Sequence, residues 1–167
     1  AGILFCRGGN TTSGISLRDD NELRFHWNEG FWDVGTGLYL PDGYWSHVAM
    51  VVQPKKITLY VNGNSWSLND TFDPQGFNAP LDIGLDNCCE RYFKGSIDEV
   101  KVWNKALTKQ EIRAAMHPTS QNDAANLVAY YQFNETQGPI LDKIGSAHAG
   151  ISGNGQRVTS SAPVGGG

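Results

Sequence analysis

Short runs of alternating apolar and polar residues recur along the chain, and turn-forming residues separate them. Residues 23–27 and 57–61 carry apolar side chains at every second position, which predicts strands with one buried face. Residues 48–52 are apolar throughout, so we expect a central strand with both faces covered. Asn62 and Gly63 predict the two-residue turn of a hairpin, because both tolerate positive φ. Repeated short strands with tight turns indicate a β-sandwich.

One short helix is predicted in the second half of the chain. Thr108, followed three residues later by Glu111, matches a capping box, in which each side chain accepts a hydrogen bond from the other residue's backbone. Ile112 and Met116 lie near helical spacing and provide an apolar face. We therefore expect a helix over about residues 108–116.

The strand predicted over residues 96–103 places a carboxylate among apolar side chains. Asp98 shares one face with Val100 and Val102, whereas Glu99 points to the opposite face. A buried carboxylate needs a partner, because its charge is costly to remove from water. Asp98 is therefore a residue whose partner has to be explained.

Four segments carry a resemblance to a known family. Residues 93–112 resemble the closing strand and helix of laminin-G-like, pentraxin-like domains of the concanavalin A-like lectin and glucanase superfamily. Residues 26–28, 43–49 and 57–63 stand in the order and spacing of bacterial laminin-G-like domains. The resemblance covers most of residues 3–117. It implies an all-β, two-sheet antiparallel jelly-roll sandwich that binds glycans or neighbouring proteins, often as one module of a secreted or surface-attached bacterial protein.

The length of 167 residues suits one domain that buries roughly 70% of its unfolded surface. We expect the jelly roll over residues 1–158 and a linker over residues 159–167, where hydrophobic density falls. Relatives usually show one or two strands before the strand that opens here at residues 3–6. Either N-terminal strands are missing or residues 127–158 cover the exposed edge; we favour coverage, because an uncovered edge invites aggregation.

Charge and hydropathy argue against nucleic acid as a partner and against insertion into a membrane. The net charge of −4 and the pI of about 5.5 provide no basic surface for phosphate backbones, so nucleic acid is not expected. No apolar run reaches the roughly 20 residues of a membrane helix, so membrane insertion is not expected either. The family resemblance implies an exported, extracellular or cell-surface protein, whose signal has been removed or lies outside this sequence.

Catalysis is not expected. The glucanases that share this architecture carry paired carboxylates along one strand, and a retaining mechanism requires them about 5–5.5 Å apart. The chain contains no Glu-x-Asp or Glu-x-Glu pair, and Asp98 and Glu99 point to opposite faces. The histidines and cysteines match no nucleophile motif.

The cofactor expected for this chain is at most one structural calcium ion. In many relatives the aspartate that matches Asp98 ligates calcium, and Asp142 or carbonyls of residues 142–150 could complete the shell. The alternative is that Asp98 only accepts backbone hydrogen bonds. Zinc is not expected, because the four histidines are dispersed and a lone strand histidine is more often hydrogen-bonded packing.

Aromatic and polar residues in two segments form the candidate ligand site. Residues 28–37 and 86–92 should lie outside the space between the sheets, where a jelly roll can present a ligand. We expect Trp27 to be structural and Trp32 to be exposed. The residues proposed to stack on a sugar are Trp32 and Tyr92, and the polar partners are Asn28, Asp33, Asn87 and Arg91.

The cysteines leave two pairings open. Thiols of exported proteins tend to be oxidised, and an odd count of three leaves one thiol free. Either Cys6 pairs with the loop at residues 86–91, or Cys88 and Cys89 form a vicinal bridge.

These expectations lead to a function. The chain is predicted to be a non-catalytic carbohydrate-binding or adhesion module of a larger exported protein, whose partner is a glycan or a neighbouring domain. The alternative is a structural spacer or protein interaction module that packs on a catalytic domain. An exposed tryptophan beside a polar groove favours glycan, whereas a large apolar patch away from any groove favours the alternative.

Overall fold

The computed structural model describes residues 1–28, 30–117 and 125–163. The chain forms two compact units, Ala1–Gly95 and Ser96–Gly167. The last four residues of the predicted linker, 164–167, lie outside the described residues.

The first unit is built from antiparallel strands. Their bounds are β1 (Gly2–Gly8), β2 (Thr11–Leu17), β3 (Glu22–Trp27), β4 (Phe31–Tyr39), β5 (Val48–Gln53), β6 (Lys56–Val61), β7 (Asn64–Leu68), β8 (Leu81–Ile83), β9 (Leu85–Asp86) and β10 (Arg91–Tyr92). One sheet has the order β4-β3-β2-β1-β8 and a second has the order β5-β6-β7, while β9 pairs with β10. Because β8 pairs with β1 on the side away from β2, β1 is not an edge strand of its sheet.

The core of the first unit lies between the five-stranded and the three-stranded sheet. Leu23 and Phe25 of β3 are fully buried and meet Ile57 and Leu59 of β6, which are also fully buried. Burial of two apolar faces against each other is the main stabilising term of a sandwich. The predicted all-β class with two antiparallel sheets and one short helix is confirmed.

The hairpin between β6 and β7 follows its prediction. Asn62 has φ 50° and Gly63 has φ 79°, and Val61 pairs with Asn64 across the two-residue turn. Positive φ at both turn positions matches the twist of the flanking strands, which is why an Asn-Gly sequence is a strong local signal.

The prediction that residues 48–52 form a central strand is wrong. β5 pairs with β6 and lies at one edge of the order β5-β6-β7. Val48, Met50 and Val52 pack against the core cluster. Apolar residues on both faces of a strand indicate that both faces are covered. They do not indicate how many strands pair with it, so this pattern could not distinguish an edge strand from a central one.

The second unit contains β11 (Val100–Trp103), α1 (Lys109–Ala115) and β12 (Leu127–Tyr131), with β11 antiparallel to β12. The helix and its capping box are confirmed. The Thr108 hydroxyl accepts from the Glu111 N–H at 3.2 Å, and the Glu111 carboxylate accepts from the Thr108 N–H at 2.6 Å. Ile112 is buried, as its helical spacing predicts.

The strand before the helix is shorter than predicted. It begins at Val100, because Glu99 has φ 56°, a left-handed conformation that interrupts extended backbone. Asp98 therefore precedes the strand and is half-buried. Its predicted place on the apolar face of a strand is wrong.

The structure selects one of the two cysteine pairings. Cys88 and Cys89 form a vicinal disulfide, and Cys6 is a buried free thiol. The Cys6 Sγ lies 3.4 Å from the carbonyl oxygen of Ala79, to which it donates.

Candidate functional site

A β-bulge gathers the candidate site on the outer face of the five-stranded sheet. The register between β3 and β4 shifts between the pairs made by Phe25 and Trp27, so that both Trp32 and Asp33 lie opposite His26. Asp33 has φ 50°, so the backbone adopts a left-handed conformation within the bulge. The bulge brings two adjacent residues to the same partner, although a regular strand would send them to opposite faces.

His26 is held firmly under this bulge. Only 4% of the residue is exposed. Its ring makes edge contacts with Phe5 and Trp32 at centroid distances of 5.1 and 6.2 Å. The Asp33 N–H lies 3.4 Å from Nδ1, to which it donates, so the neutral ring carries its proton on Nε2. Burial lowers the pKa of His26, although the nearby Asp33 carboxylate opposes the shift.

An open pocket of about 160 Å³ lies above His26. The residues that line it are Ala1, Ser16, Leu17, Arg18, Asp19, His26, Asp33 and Arg91. Ser16 Oγ and His26 Nε2 are buried and have no hydrogen-bond partner within the described part of the chain. We call this site the His26 pocket.

Ion pairs fix the Asp33 side of the His26 pocket. Arg24 donates to Asp33 Oδ2 at 3.1 Å and to Glu22 Oε2 at 2.9 Å. Glu22 also accepts from the Gly37 N–H at 2.9 Å, and this bond, together with Arg24, lowers the pKa of Glu22. The second oxygen of Asp33, Oδ1, lies 3.7 Å from His26 Nε2, which is too long for a hydrogen bond. Asp33 thus keeps one acceptor atom facing the buried imidazole.

The Arg91 side of the pocket is fixed by Asp86, which is fully buried. Asp86 accepts hydrogen bonds from the guanidinium groups of Arg7 and Arg91 and from the Cys88 N–H. Burial alone would raise the pKa of Asp86, but the bonds from the two arginines outweigh burial and lower it. The carboxylate therefore stays charged and positions Arg91 beside the pocket.

The structure brings some of the six predicted ligand residues together. Asp33 and Arg91 line the His26 pocket, and Trp32, 57% exposed as predicted, borders it through its contact with His26. Tyr92 is 52% exposed and pairs in register with Leu85 on β9.

The two predicted amide residues make hydrogen bonds elsewhere. Asn28 accepts from the Thr12 N–H and donates to the Asn10 carbonyl, so it ties the turn between β1 and β2 to the end of β3. Asn87 donates to Asp82 at 3.0 Å. Trp27, predicted to be structural, is buried in the core and donates to the Asp73 carbonyl at 3.0 Å.

Sequence reasoning missed Ser16 and His26 as site residues. A lone strand histidine was interpreted as packing, and a lone serine gives no signal. The alternation of apolar and polar residues did indicate which sheet face these residues occupy. Gly14 pairs with His26 and Ser16 pairs with Arg24, and all four are small or polar residues on the face that points away from the core. The bulge that turns these positions into a pocket has no sequence signature.

The two residues proposed for calcium have hydrogen-bond partners within the second unit. Asp98 accepts from the Glu99 N–H and from the Ser160 hydroxyl, and these carboxylate and hydroxyl oxygens are of the kind that calcium prefers. Asp142 accepts from the N–H groups of Tyr130 and Ile144, both at 3.0 Å.

Burial would raise the pKa of Asp142, yet the backbone hydrogen bonds lower it. The Tyr130 and Ile144 N–H groups both donate to Oδ1, and Oδ2 is buried without a hydrogen-bond partner in the described part of the chain. In Asp98, both carboxylate oxygens accept hydrogen bonds. No group of three or more His, Cys, Asp or Glu side chains that could hold a metal ion occurs in residues 1–28, 30–117 and 125–163. The calcium site therefore stays a prediction.

Comparison with known families places the chain. A laminin-G-like family model described as the concanavalin A-like lectin/glucanases superfamily matches residues 1–113. The chain belongs to this superfamily. No curated protein matches it. Among solved structures, this superfamily member is similar to residues 221–444 of an S-layer domain-containing protein from Clostridium thermocellum ATCC 27405, at 24% identity and a TM-score of 0.39. The match covers 66% of this chain and 59% of that structure.

Hydropathy adds one observation on this superfamily member. No helix in the described ranges is both long and apolar enough to cross a membrane.

Proposed function

We propose that this domain is a non-catalytic carbohydrate-binding or adhesion module of a larger exported protein. The observation that carries the proposal is the exposed Trp32 ring next to the polar His26 pocket. A sugar offers a C–H face that stacks on an aromatic ring and hydroxyl groups that need donors and acceptors. The site supplies both, since Asp33 is an acceptor and Arg91 a donor beside the ring.

The surroundings of the second unit's carboxylates support a non-catalytic role. Glu99 accepts from the Tyr130 hydroxyl, and Asp98 accepts from Ser160. Burial and the bond to Glu99 raise the pKa of Tyr130 to about 12. Each carboxylate is thus engaged with its own partner, whereas glycoside hydrolysis requires two that face one sugar bond.

The expected strength of binding follows from the size of the site. An aromatic ring that stacks contributes about 0.5–1.5 kcal/mol beyond its buried area, so one site binds weakly. Several copies on a larger protein or on a cell surface would raise the avidity by effective concentration. This requirement fits an extracellular or surface-attached module whose partners are glycans or neighbouring domains.

A glycan array, probed with and without calcium, tests the proposal. The best glycan is then titrated against Trp32→Ala and Tyr92→Ala, with folding verified by circular dichroism. We expect Trp32→Ala to lower the affinity by about tenfold, which corresponds to the upper range of a stacking contact. Tyr44→Ala, which removes a 79% exposed aromatic side chain that does not line the pocket, is the matched control.

Two results would count against carbohydrate binding. Equal affinity in Trp32→Ala, Tyr92→Ala and the Tyr44→Ala control would place the site elsewhere. Binding to no glycan on the array, in either condition, would favour the spacer or protein interaction module instead.

A further inference from the structure

The His26 pocket contains two polar atoms that the folded chain does not satisfy. His26 Nε2 and Ser16 Oγ are buried, line the same pocket and have no hydrogen-bond partner among the described residues. Buried polar atoms are nearly always hydrogen-bonded, and the exceptions mark places that a ligand or ordered water completes. Their convergence on one pocket distinguishes the pair from an isolated packing defect.

The tautomer of His26 determines which kind of hydrogen-bond partner its Nε2 atom requires. Because Nδ1 accepts from the Asp33 N–H, Nε2 carries the proton and is a donor that points to an acceptor it lacks. Asp33 Oδ1, 3.7 Å away, is an acceptor that cannot reach it. A hydroxyl oxygen between them can accept from Nε2–H and donate its own hydrogen to Oδ1.

Charged groups on the pocket wall supply further donors and acceptors. Arg18 and Arg91 line the pocket as donors, and Asp19 and Asp33 line it as acceptors. Ala1 lines it too, and its α-amino group donates to the Leu17 carbonyl at 2.6 Å. Groups of both kinds match the hydroxyls of a sugar, each of which can donate and accept.

We infer that the His26 pocket is the primary subsite for one sugar unit, with a single hydroxyl bridging His26 Nε2 and Asp33 Oδ1. This inference rests on the proposed carbohydrate-binding function and names its subsite. Ser16 Oγ bonds a neighbouring oxygen of the same sugar, and Trp32 receives the face of that unit or of the next one. A volume of about 160 Å³ lies below the roughly 300–1,000 Å³ of pockets for drug-sized ligands, so the pocket suits a single unit.

Nuclear magnetic resonance of the His26 side chain tests the contact directly. The probes are the methyl glycosides of glucose, galactose, mannose, xylose, fucose and N-acetylglucosamine, together with galacturonate and glucosamine. We expect at least one of these sugars to shift the His26 Nε2–H resonance. A resonance that none of them moves overturns the inference.

Two variants separate binding from folding. Ser16→Ala and His26→Phe each remove one unsatisfied atom, and each should weaken the array-selected glycan about five- to tenfold, the effect of one lost hydrogen bond. Ser16→Ala should leave the melting temperature unchanged or raise it, because a buried hydroxyl without a partner does not stabilise the fold. Ser65→Ala, an exposed serine on β7, is the matched control.

The outcomes distinguish this inference from the function on which it rests. Unchanged glycan affinity in Ser16→Ala overturns the subsite but leaves carbohydrate binding in place. A lower melting temperature in Ser16→Ala with unchanged affinity assigns the serine to packing and also overturns the subsite. Absence of any glycan binding by the wild-type protein overturns both proposals. If His26→Phe does not fold, Ser16→Ala alone decides.

Discussion

Arg7 and Asp86, which are 79 positions apart in the chain, form a paired hydrogen bond in which Nε donates to Oδ1 at 2.7 Å and Nη2 to Oδ2 at 3.1 Å. Asp86 is fully buried, and its Oδ2 also accepts a hydrogen bond from Arg91. A buried carboxylate is tolerated only where such donors offset its loss of hydration. The pair ties β1 to the segment that carries Arg91, and so it connects the stability of the first unit to the geometry of the His26 pocket.

Neutralising Asp86 should destabilise the protein. Asp86→Asn leaves the guanidinium groups of Arg7 and Arg91 without their buried anion, and we expect a loss of about 2–3 kcal/mol in the free energy of unfolding, since both arginines are partly solvated. Urea unfolding measures the loss. Asp73→Asn, an exposed carboxylate, is the control and should change stability by less than about 0.5 kcal/mol. Equal stability in the two variants would contradict the assigned role of Asp86.

The depressed pKa of His26 predicts a pH dependence of stability. Below about pH 6.5 the unfolded chain binds a proton on this histidine that the folded chain resists, so stability is fully present above that pH and falls toward the lower folded-state pKa. The slope is at most about 1.4 kcal/mol per pH unit. Asp33 and Asp86 oppose the shift, whereas Arg7 and Arg91 support it.

Comparison of wild type with His26→Phe isolates this contribution. Unfolding free energies measured between pH 5 and pH 7.5 should fall more steeply with acidification in the wild type, because the variant has no proton to take up at this position. Parallel curves for the two proteins would show that His26 titrates normally.

Calcium binding at Asp98 predicts a response to chelation. An ion that binds only the folded state stabilises it by about 2.7 kcal/mol at a concentration 100 times Kd, so a chelator should lower the melting temperature. Asp98→Asn should abolish that response, whereas Asp70→Asn should retain it. An unchanged melting curve in chelator, for protein shown beforehand to contain calcium, would leave only the hydrogen bonds from Glu99 and Ser160 as partners of Asp98.

The carboxylate arrangement predicts that purified protein hydrolyses no common plant, algal or host polysaccharide. A reducing-sugar assay measures hydrolysis, and we expect no release of reducing sugar at any pH between 4 and 8. Activity that survives further purification and disappears in Glu99→Gln would refute the prediction, because loss in that variant assigns the reaction to this chain.

Removing the helix cap should weaken the second unit. Thr108→Ala leaves the Glu111 N–H without its side-chain acceptor, and loss of such a cap costs about 1 kcal/mol. Thr108→Ser keeps the hydroxyl and should retain most of the stability, as thermal unfolding would show. Equal losses in both variants would mean that the threonine methyl group, not the cap, matters.

Local signals in the sequence predicted the elements that depend on few neighbouring residues. The Asn62 and Gly63 turn and the Thr108 capping box formed where predicted, because a two-residue loop and a helix start are set by the φ preferences and side-chain oxygens of the residues themselves. Alternation in β3 and β6 likewise identified Phe25 and Leu59 as core residues, since the pleat fixes their face.

Where the backbone departs from regular geometry, alternation misled. Glu99 has a left-handed φ, so the strand starts later than its pattern indicated and Asp98 lies outside it. Asp33 also has a left-handed φ, within β4. The bulge there places both Trp32 and Asp33 opposite His26. A bulge changes which face a side chain occupies without changing the residue types, so the period of two cannot reveal it.

The sequence by itself determined the all-β class, the hairpin and the helix, because propensity, periodicity and capping act over a few residues. Only the tertiary structure decided the His26 pocket, the burial of Asp86 between Arg7 and Arg91, and the pairing of Cys88 with Cys89. The pocket and the buried ion pairs join residues distant in sequence, and their energies arise from burial that exists once the sheets have come together.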